Sequence, residues 1–504
     1  LEKGFRRFPK LNTTGIRRIV NGPFTFTPDG NPLVGPVPGL RNYWSACGVM
    51  AGFAQGGGVG KTLAEWMTAG EPECDVFGLD VARFGAYATR DYVAEKASEF
   101  YSRRFRIAYP NEFWPAARPA KVTAVHGLQR AENGVFGVSY GVETALYFAP
   151  PSEDPTEAPS LRRSNAFDAV AAECRAARGA AGILDCSTFA KYEVSGAGAR
   201  RALDRLLAGR LPEPGRIRLT PMLAPSGRLM GDLTTFCLAE DHFLLFGSGY
   251  LQAWHMRWFG EHLDGASVRN RTEDTGGVAI FGPRSREILA RLGRNDVTDA
   301  RLPFMTFRHM DVGGAPALVA RLSVTGELGY EIYVPAMYLA PLYDRIRAAG
   351  APLGLRSVGT YALNSLRLEK GYGYWSREYS RDYTPAMSGL ARFVDYGKPA
   401  FIGREAALRD RDRPPARRLV LLEVDALDAE ASFYEPVSRG EEVAGFVTSG
   451  GYGHCTGKSL AMAYVDMAAL AGGAPLEVSI IGDRRGCRVL HAPPVDPQGS
   501  RMRS

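Results

Sequence analysis

The segment Met222-Leu-Ala-Pro-Ser-Gly-Arg-Leu-Met-Gly-Asp-Leu-Thr-Thr-Phe236 joins turn chemistry to strand chemistry, with one carboxylate at the junction. Pro221 to Gly227 reads as a turn, tightest at Pro225-Ser226-Gly227, where proline presets φ and glycine tolerates the left-handed region. Leu233 to Leu238 is rich in β-formers and predicts a strand. A second strand, His242 to Phe246, follows the break at Glu240-Asp241, so a hairpin is expected with Asp232 at its mouth. A carboxylate in that place has two uses. It can cap the turn through its own backbone, or act chemically in an apolar cleft. The segment itself leaves both open.

Outward from the hairpin, the pattern is α+β. Upstream, Ala166–Arg178 and Ala197–Ala208 predict helices, and Gly182–Asp185 and Tyr192–Ser195 predict strands. Downstream, Gly249–Leu263 is an amphipathic helix and Gly277–Phe281 a strand, and Pro283 opens another helix. Ala317–Val324 and Glu331–Val334 predict strands on either side of Thr325-Gly-Glu-Leu-Gly329, followed by helices at Met337–Ala349 and Ser357–Lys370. Arg409–Arg418, with Pro414-Pro415, marks a boundary. Five short strands then predict a small β-barrel or jelly roll: Leu419–Val424, Val443–Thr448, Leu460–Val465, Leu476–Ile481 and Gly486–Leu490.

Toward the N-terminus, residues 149–163 have linker composition and residues 76–150 read as a connector. Asn42–Met50 suits a buried strand. Ala54-Gln-Gly-Gly-Gly-Val-Gly-Lys-Thr62 reads as a glycine-rich turn opening a helix with Leu63, Trp66 and Met67 on its apolar side. Gly-Lys-Thr suggests a phosphate loop, but Gln55 stands where that motif requires glycine. What remains is a helix N-terminus at Gly57, Gly58, Val59 and Gly60. Its free N–H groups could face an anion or carbonyl, or the glycines could serve close packing alone.

A chain of 504 residues predicts several domains. Its 45% hydrophobic and 23% charged residues are globular values. No apolar run approaches the ~20 residues of a membrane span. The net charge of +7 comes from small, scattered basic groups mixed with acids, so a solvated surface explains it and no nucleic-acid groove is indicated. Seven cysteines without a Cys-x-x-Cys pair predict free thiols in a reducing compartment, cytoplasm or mitochondrial matrix. His255 and His262 could share a helix face but lack a third ligand, so no metal is expected. The chain opens on Leu1 with no signal-peptide pattern, which suggests a piece of a larger protein.

Thr27-Pro-Asp-Gly-Asn-Pro-Leu-Val-Gly-Pro-Val-Pro-Gly-Leu-Arg-Asn-Tyr-Trp44 and Gly57-Gly-Val-Gly-Lys-Thr-Leu-Ala-Glu-Trp66 resemble the closing segment of the flavin domain of D-amino-acid-oxidase-like amine oxidoreductases. The resemblance implies that Gly57, Gly58, Val59 and Gly60 lie beside the pyrimidine edge of FAD. The family's Gly-x-Gly-x-x-Gly fingerprint, which holds the rest of the cofactor, does not occur at the start of this chain.

Gly231-Asp-Leu, Thr325-Gly-Glu-Leu-Gly-Tyr-Glu331, Asn364-Ser-Leu-Arg-Leu-Glu-Lys-Gly-Tyr372 and Tyr383-Thr-Pro-Ala-Met-Ser-Gly-Leu390 resemble the folate-binding domain of the glycine-cleavage T protein, an aminomethyltransferase. Phe446-Val-Thr-Ser-Gly-Gly-Tyr452 and Lys458-Ser-Leu-Ala-Met-Ala-Tyr464 resemble its C-terminal barrel. The order of the two resemblances is that of sarcosine and dimethylglycine dehydrogenases and oxidases. It implies 1–75 as the end of an FAD-dependent domain, 76–150 as a connector, 165–408 as a tetrahydrofolate-binding domain and 416–496 as the barrel.

The resemblance implies oxidation of an N-methyl amine at FAD, with capture of the one-carbon unit by tetrahydrofolate and an electron-transfer flavoprotein as a partner. Asp232 would be the catalytic acid beside the folate nitrogens. Glu331 would bind the pterin's amino group and ring N–H. Met222, Tyr330 and Arg367 would complete the folate site, although Arg367 could equally form a structural ion pair with Glu369 or a neighbour. The sequence departs from the family at Val324, where tyrosine often walls the pterin pocket. The alternative on the same scaffold is a non-catalytic regulator similar to the pyruvate dehydrogenase phosphatase regulatory subunit.

Overall fold

The computed structural model describes residues 2–471 and 475–504. Near the N-terminus, β1 (Leu33–Pro36) and β2 (Trp44–Cys47) pair as a short ribbon beside the helix Gly52–Ala69. β2 is not a buried strand as the sequence suggested; its residues are half-buried or exposed. β3 (Gly134–Ser139) and β4 (Val142–Phe148) form a hairpin. The centre of the chain then builds two sheets. Its strands are β5 (Ala181–Asp185), β6 (Ala190–Ser195), β7 (Ile217–Leu223), β8 (Leu229–Ala239), β9 (His242–Gly247), β10 (Ser267–Asn270), β11 (Thr275–Phe281), β12 (Thr306–Val312), β13 (Ala315–Arg321), β14 (Gly329–Pro335) and β15 (Leu355–Ser357).

One sheet runs β10-β6-β9-β8-β7 and the other β12-β13-β14-β11-β5-β15. They face each other across an aromatic core in which Phe236 meets Phe307 at 5.4 Å and Phe246 meets Tyr333 at 4.5 Å between ring centroids. The outer face of the first sheet packs Leu233, Phe243 and Leu245 against Leu203, Trp254 and Phe259 of two helices. The outer face of the second packs Ile280, Val319 and Ile332 against Ile288, Leu342 and Ile346. Each fully buried Leu, Ile or Phe contributes roughly 1.5–3 kcal/mol, so both sheets are anchored on two faces.

The remaining strands close a six-stranded barrel: β16 (Arg417–Val424), β17 (Pro436–Arg439), β18 (Glu442–Gly453), β19 (Lys458–Asp466), β20 (Leu476–Ile480) and β21 (Asp483–Leu490). The architecture is the multidomain α+β fold with a terminal barrel that the sequence implied. β17 escaped the sequence reading because four residues, two of them Pro436 and Arg439, carry no alternation.

Two local readings are corrected. Pro221 belongs to strand β7, paired with Asp232, and the turn is confined to Ala224–Arg228. A strand tolerates proline here because β7 is the sheet edge: the Pro221 carbonyl points outward to the amide of Ala208, so the missing N–H leaves no ladder bond unmade. The glycine-rich stretch from Gly56 to Gly60 is not a turn but the interior of the helix Gly52–Ala69. Glycine costs about 1 kcal/mol each in a helix, and burial of Val59 and Trp66 offsets it. The ring of Trp66 lies so close to Gly35 that a Cβ there would sit 2.7 Å from it.

The linker-like segment is also tied down. Arg163 donates its amide to the Asp428 carbonyl at 2.9 Å and pairs with Glu430 at 2.6 Å, which joins it to the barrel.

Candidate functional site

Alternation along β8 places Asp232, Thr234 and Phe236 on one face and Gly231, Leu233 and Thr235 on the other. Thr234 lies opposite Phe246 of β9, whose ring packs on Tyr333 of β14. Glu331 stands two residues before Tyr333 on the same face, and the Tyr333 hydroxyl donates to its Oε2 at 2.6 Å. The two carboxylates therefore lie on the facing surfaces of the two sheets, Asp232 on the first and Glu331 on the second. Asp232 is no turn cap: it lies inside a strand, three residues past Leu229, where the strand begins.

Leu219, Thr234, Leu244 and Asp232 are only half-buried although they lie inside the sheet, so this face is incompletely covered. Among the described residues, neither Asp232 nor Glu331 forms a salt bridge. Burial pushes the Asp232 carboxyl up to about 7. Burial likewise raises Glu331 to about 7, offset in part by the Tyr333 hydrogen bond and the charge of Lys191. Buried carboxyl groups poised near neutrality suit proton transfer and recognition of cationic or donor-rich ligands.

Three residues absent from the sequence reading belong here. Lys191 lies opposite Phe246 on β6 and is fully buried. Its Nζ donates to the carbonyls of Ser187 and Phe189, both at 2.8 Å, and lies 5.8 Å from the Tyr333 ring. Burial lowers it to about 8. Tyr250 sits just past the end of β9, close enough to Asp232 to feel its charge, and its buried hydroxyl has no well-formed hydrogen bond. Tyr333 could have been found from the period of two that starts at Glu331. Lys191 and Tyr250 carry no local signal, since only tertiary packing brings them near the carboxylates.

The other candidates are placed elsewhere. Tyr330 points to the opposite face of β14, where its hydroxyl accepts from Arg286 Nε at 3.0 Å, so the folate-site reading is corrected. Neighbours in a strand cannot both face the opposite sheet. Met222 is fully buried in the outer core under β7, again on the face away from Asp232.

Arg367 is a structural residue. It pairs with Glu378 at 2.9 Å, not Glu369, and also donates to Asn364, Ser449 and the carbonyl of Tyr372. With its donors used and its side chain buried, it has nothing to offer a ligand. Gly57, Gly58, Val59 and Gly60 lie beyond the first turn of their helix, so their N–H groups are spent on intrahelical bonds. Val324 is half-buried in the loop before β14.

Family models match most of the chain. The GCVT N-terminal domain covers residues 125–398, the glycine cleavage T-protein C-terminal barrel domain residues 417–496, and the FAD dependent oxidoreductase central domain residues 69–123. The first match takes in β3 and β4, which pack into the core between the sheets, upstream of the start at 165 expected from composition.

Mitochondrial dimethylglycine dehydrogenase of Mus musculus is 34% identical over 510 residues, covering 100% of this chain and 58% of that protein. The chain thus spans less than two thirds of that relative's length. An aminomethyltransferase of Desulforamulus reducens is 30% identical over 330 residues, covering 65% of this chain and 90% of the other. The crystal structure of glycine cleavage system aminomethyltransferase T from Bartonella henselae shares the fold. It has a TM-score of 0.65 at 24% identity and covers 75% of this chain and 98% of that one.

Proposed function

Because the chain belongs to the glycine cleavage T-protein family, we propose that it carries the tetrahydrofolate-dependent half of the oxidative demethylation of an N-methyl amine of the dimethylglycine or sarcosine type. One observation carries the reading: two carboxylates without ion partners among the described residues, Asp232 and Glu331, lie on the facing surfaces of the two sheets, and the Asp232 surface is incompletely covered. Bound tetrahydrofolate supplies the amine nitrogens that take up the one-carbon unit. Glu331 offers acceptor oxygens to the pterin's amino and ring N–H groups, and a charge-assisted pair of that kind is strong. Asp232 offers an anion to the cationic one-carbon unit and, with its pKa near neutrality, a group that takes the proton released as nitrogen is alkylated. The buried Tyr250 hydroxyl fits a ligand in the same space.

The glycine stretch at 57–60 lies inside a helix, so its N–H groups do not face a flavin as the resemblance implied. Seven free thiols suit a reducing compartment. The named mouse relative is a mitochondrial protein.

Two measurements test the proposal. Calorimetric titration of tetrahydrofolate into the 504-residue chain should show one saturable site, weakened roughly ten- to a hundredfold by Glu331→Ala, the range expected for a lost hydrogen bond to a charged group. The wild-type chain should also accelerate formation of 5,10-methylenetetrahydrofolate from tetrahydrofolate and formaldehyde. A regulatory protein on this scaffold would not. Failure to bind tetrahydrofolate sinks the proposal.

A further inference from the structure

β8 reaches Asp232 through a bulge. β7 and β8 pair Met222 with Gly231 and Leu223 with Leu229, which leaves Met230 as the extra residue, two positions before Asp232. Bulges re-aim the side chains that follow them. Here the bulge is tied to the layer beneath. The Met230 carbonyl lies 3.1 Å from Nε2 of His255, which is buried on the helix Gln252–His262. His255 Nδ1 lies 3.0 Å from the hydroxyl of Tyr192 on β6, also fully buried.

Burial lowers His255 to about 4, so the ring is neutral at working pH. In the neutral ring one nitrogen donates and the other accepts. A carbonyl can only accept, so Nε2 carries the proton, and Nδ1 accepts from Tyr192. The tautomer follows from the two partners.

The sheet is shaped for the ring. A Cβ at Gly231 would lie 3.1 Å from His255 Nε2, and one at Gly247 3.4 Å from its Cε1. Glycine on two adjacent strands lets the imidazole seat directly against them. A ring bonded to β6 and β8 and resting on β9 fixes these strands relative to one another at the level of Asp232.

We propose that His255, held in one tautomer by Tyr192, is the positioning residue for Asp232: by fixing the bulge at Met230 it sets the direction in which the Asp232 carboxyl points. The proposal rests on the catalytic reading of Asp232.

The test uses the 504-residue chain and two readouts: acceleration of methylenetetrahydrofolate formation from tetrahydrofolate and formaldehyde, and tetrahydrofolate Kd. Asp232→Asn is the reference and should lose on the order of a hundredfold in rate. His255→Ala should lose roughly ten- to a hundredfold, with Kd changed less than about threefold, because a misplaced group costs rate more than binding. His255→Gln, whose amide N–H can reach the same carbonyl, should recover most of the rate. Tyr192→Phe frees Nδ1 to take the proton and should lose roughly three- to tenfold in rate, less than His255→Ala.

In the Asp232→Asn background, His255→Ala should cost nothing further, since residues that act as a unit are not additive. A folded His255→Ala chain with wild-type rate, or one that loses as much again without the Asp232 carboxylate, overturns the proposal. So does a Gln variant that fails to recover. If His255→Ala does not fold, the Gln and Tyr192→Phe variants decide. An unchanged rate in Asp232→Asn refutes the catalytic reading, and the positioning role falls with it.

Discussion

Asp232→Asn should stabilise the chain while it slows the chemistry, and the stability gain should depend on pH in a defined direction. Burial raises the Asp232 carboxyl from 3.8 to about 7. A difference of about 3 pKa units corresponds to ~4 kcal/mol at 1.36 kcal/mol per unit. Asp232 is only half-buried, so solvent screens part of that, and about 2 kcal/mol is the expected magnitude. The folded pKa lies above the unfolded one, so the folded state binds the proton more tightly. This group's contribution is intact below pH ~4 and is lost as pH rises through 7.

Asparagine does not ionise and escapes the loss. The melting temperature of Asp232→Asn minus that of wild type should therefore be near zero below about pH 4, grow between about pH 4 and 7, and level off above 7. For a domain of this size, ~2 kcal/mol is worth roughly 4–8 °C. Differential scanning fluorimetry from about pH 4 to 9 measures it. A difference that is flat with pH, or that shrinks as pH rises, would refute the placement of an unpaired carboxylate in a desolvated site.

Tetrahydrofolate binding should weaken as pH falls through about 7, where Glu331 takes up a proton, and titrations at pH 6 and 8 check it. Lys191→Met removes the charge that favours ionised Glu331, so the pH at which binding is half lost should move upward; an unmoved midpoint would disconnect the two residues. Arg367→Met breaks the buried pair with Glu378 and should destabilise by about 3–5 kcal/mol, seen in urea unfolding, while folded protein binds tetrahydrofolate as before. Glu173 is buried, accepts the amides of Phe148 and Gly359, and is raised to about 8. Its folded pKa is also above the unfolded value, so Glu173→Gln should gain stability relative to wild type as pH rises from about 5 to 8, read from melting curves.

Local sequence determined a good deal. Runs of β-formers located β8 and β9 around the break at Glu240-Asp241, and five of the six barrel strands were legible because each is a short apolar run bounded by turn residues. Asp232 stood out as a single acid at the mouth of an apolar strand, whereas Glu331 was reached only through the resemblance to the T protein's folate site.

What tertiary structure decided is which of those residues meet. Whether Pro221 sits in a turn or a strand depends on whether that strand is an edge, since only there is a missing N–H free of consequence. Whether Gly56–Gly60 bend or stay helical depends on Val59 and Trp66 finding a surface to bury against. Tyr330 and Glu331 are adjacent in sequence, yet the pleat sends them to opposite layers, one to Arg286 and one toward the facing sheet. Arg367 is consumed by Glu378, Asn364 and Ser449, the last of them 82 residues away, a pairing no local pattern encodes. The same holds for Tyr192, Met230 and His255, which lie on three elements and meet only because β6, β9 and β8 are neighbours in one sheet. Propensity and periodicity are properties of a few consecutive residues; a site is a property of the long-range pairings that bring distant ones together.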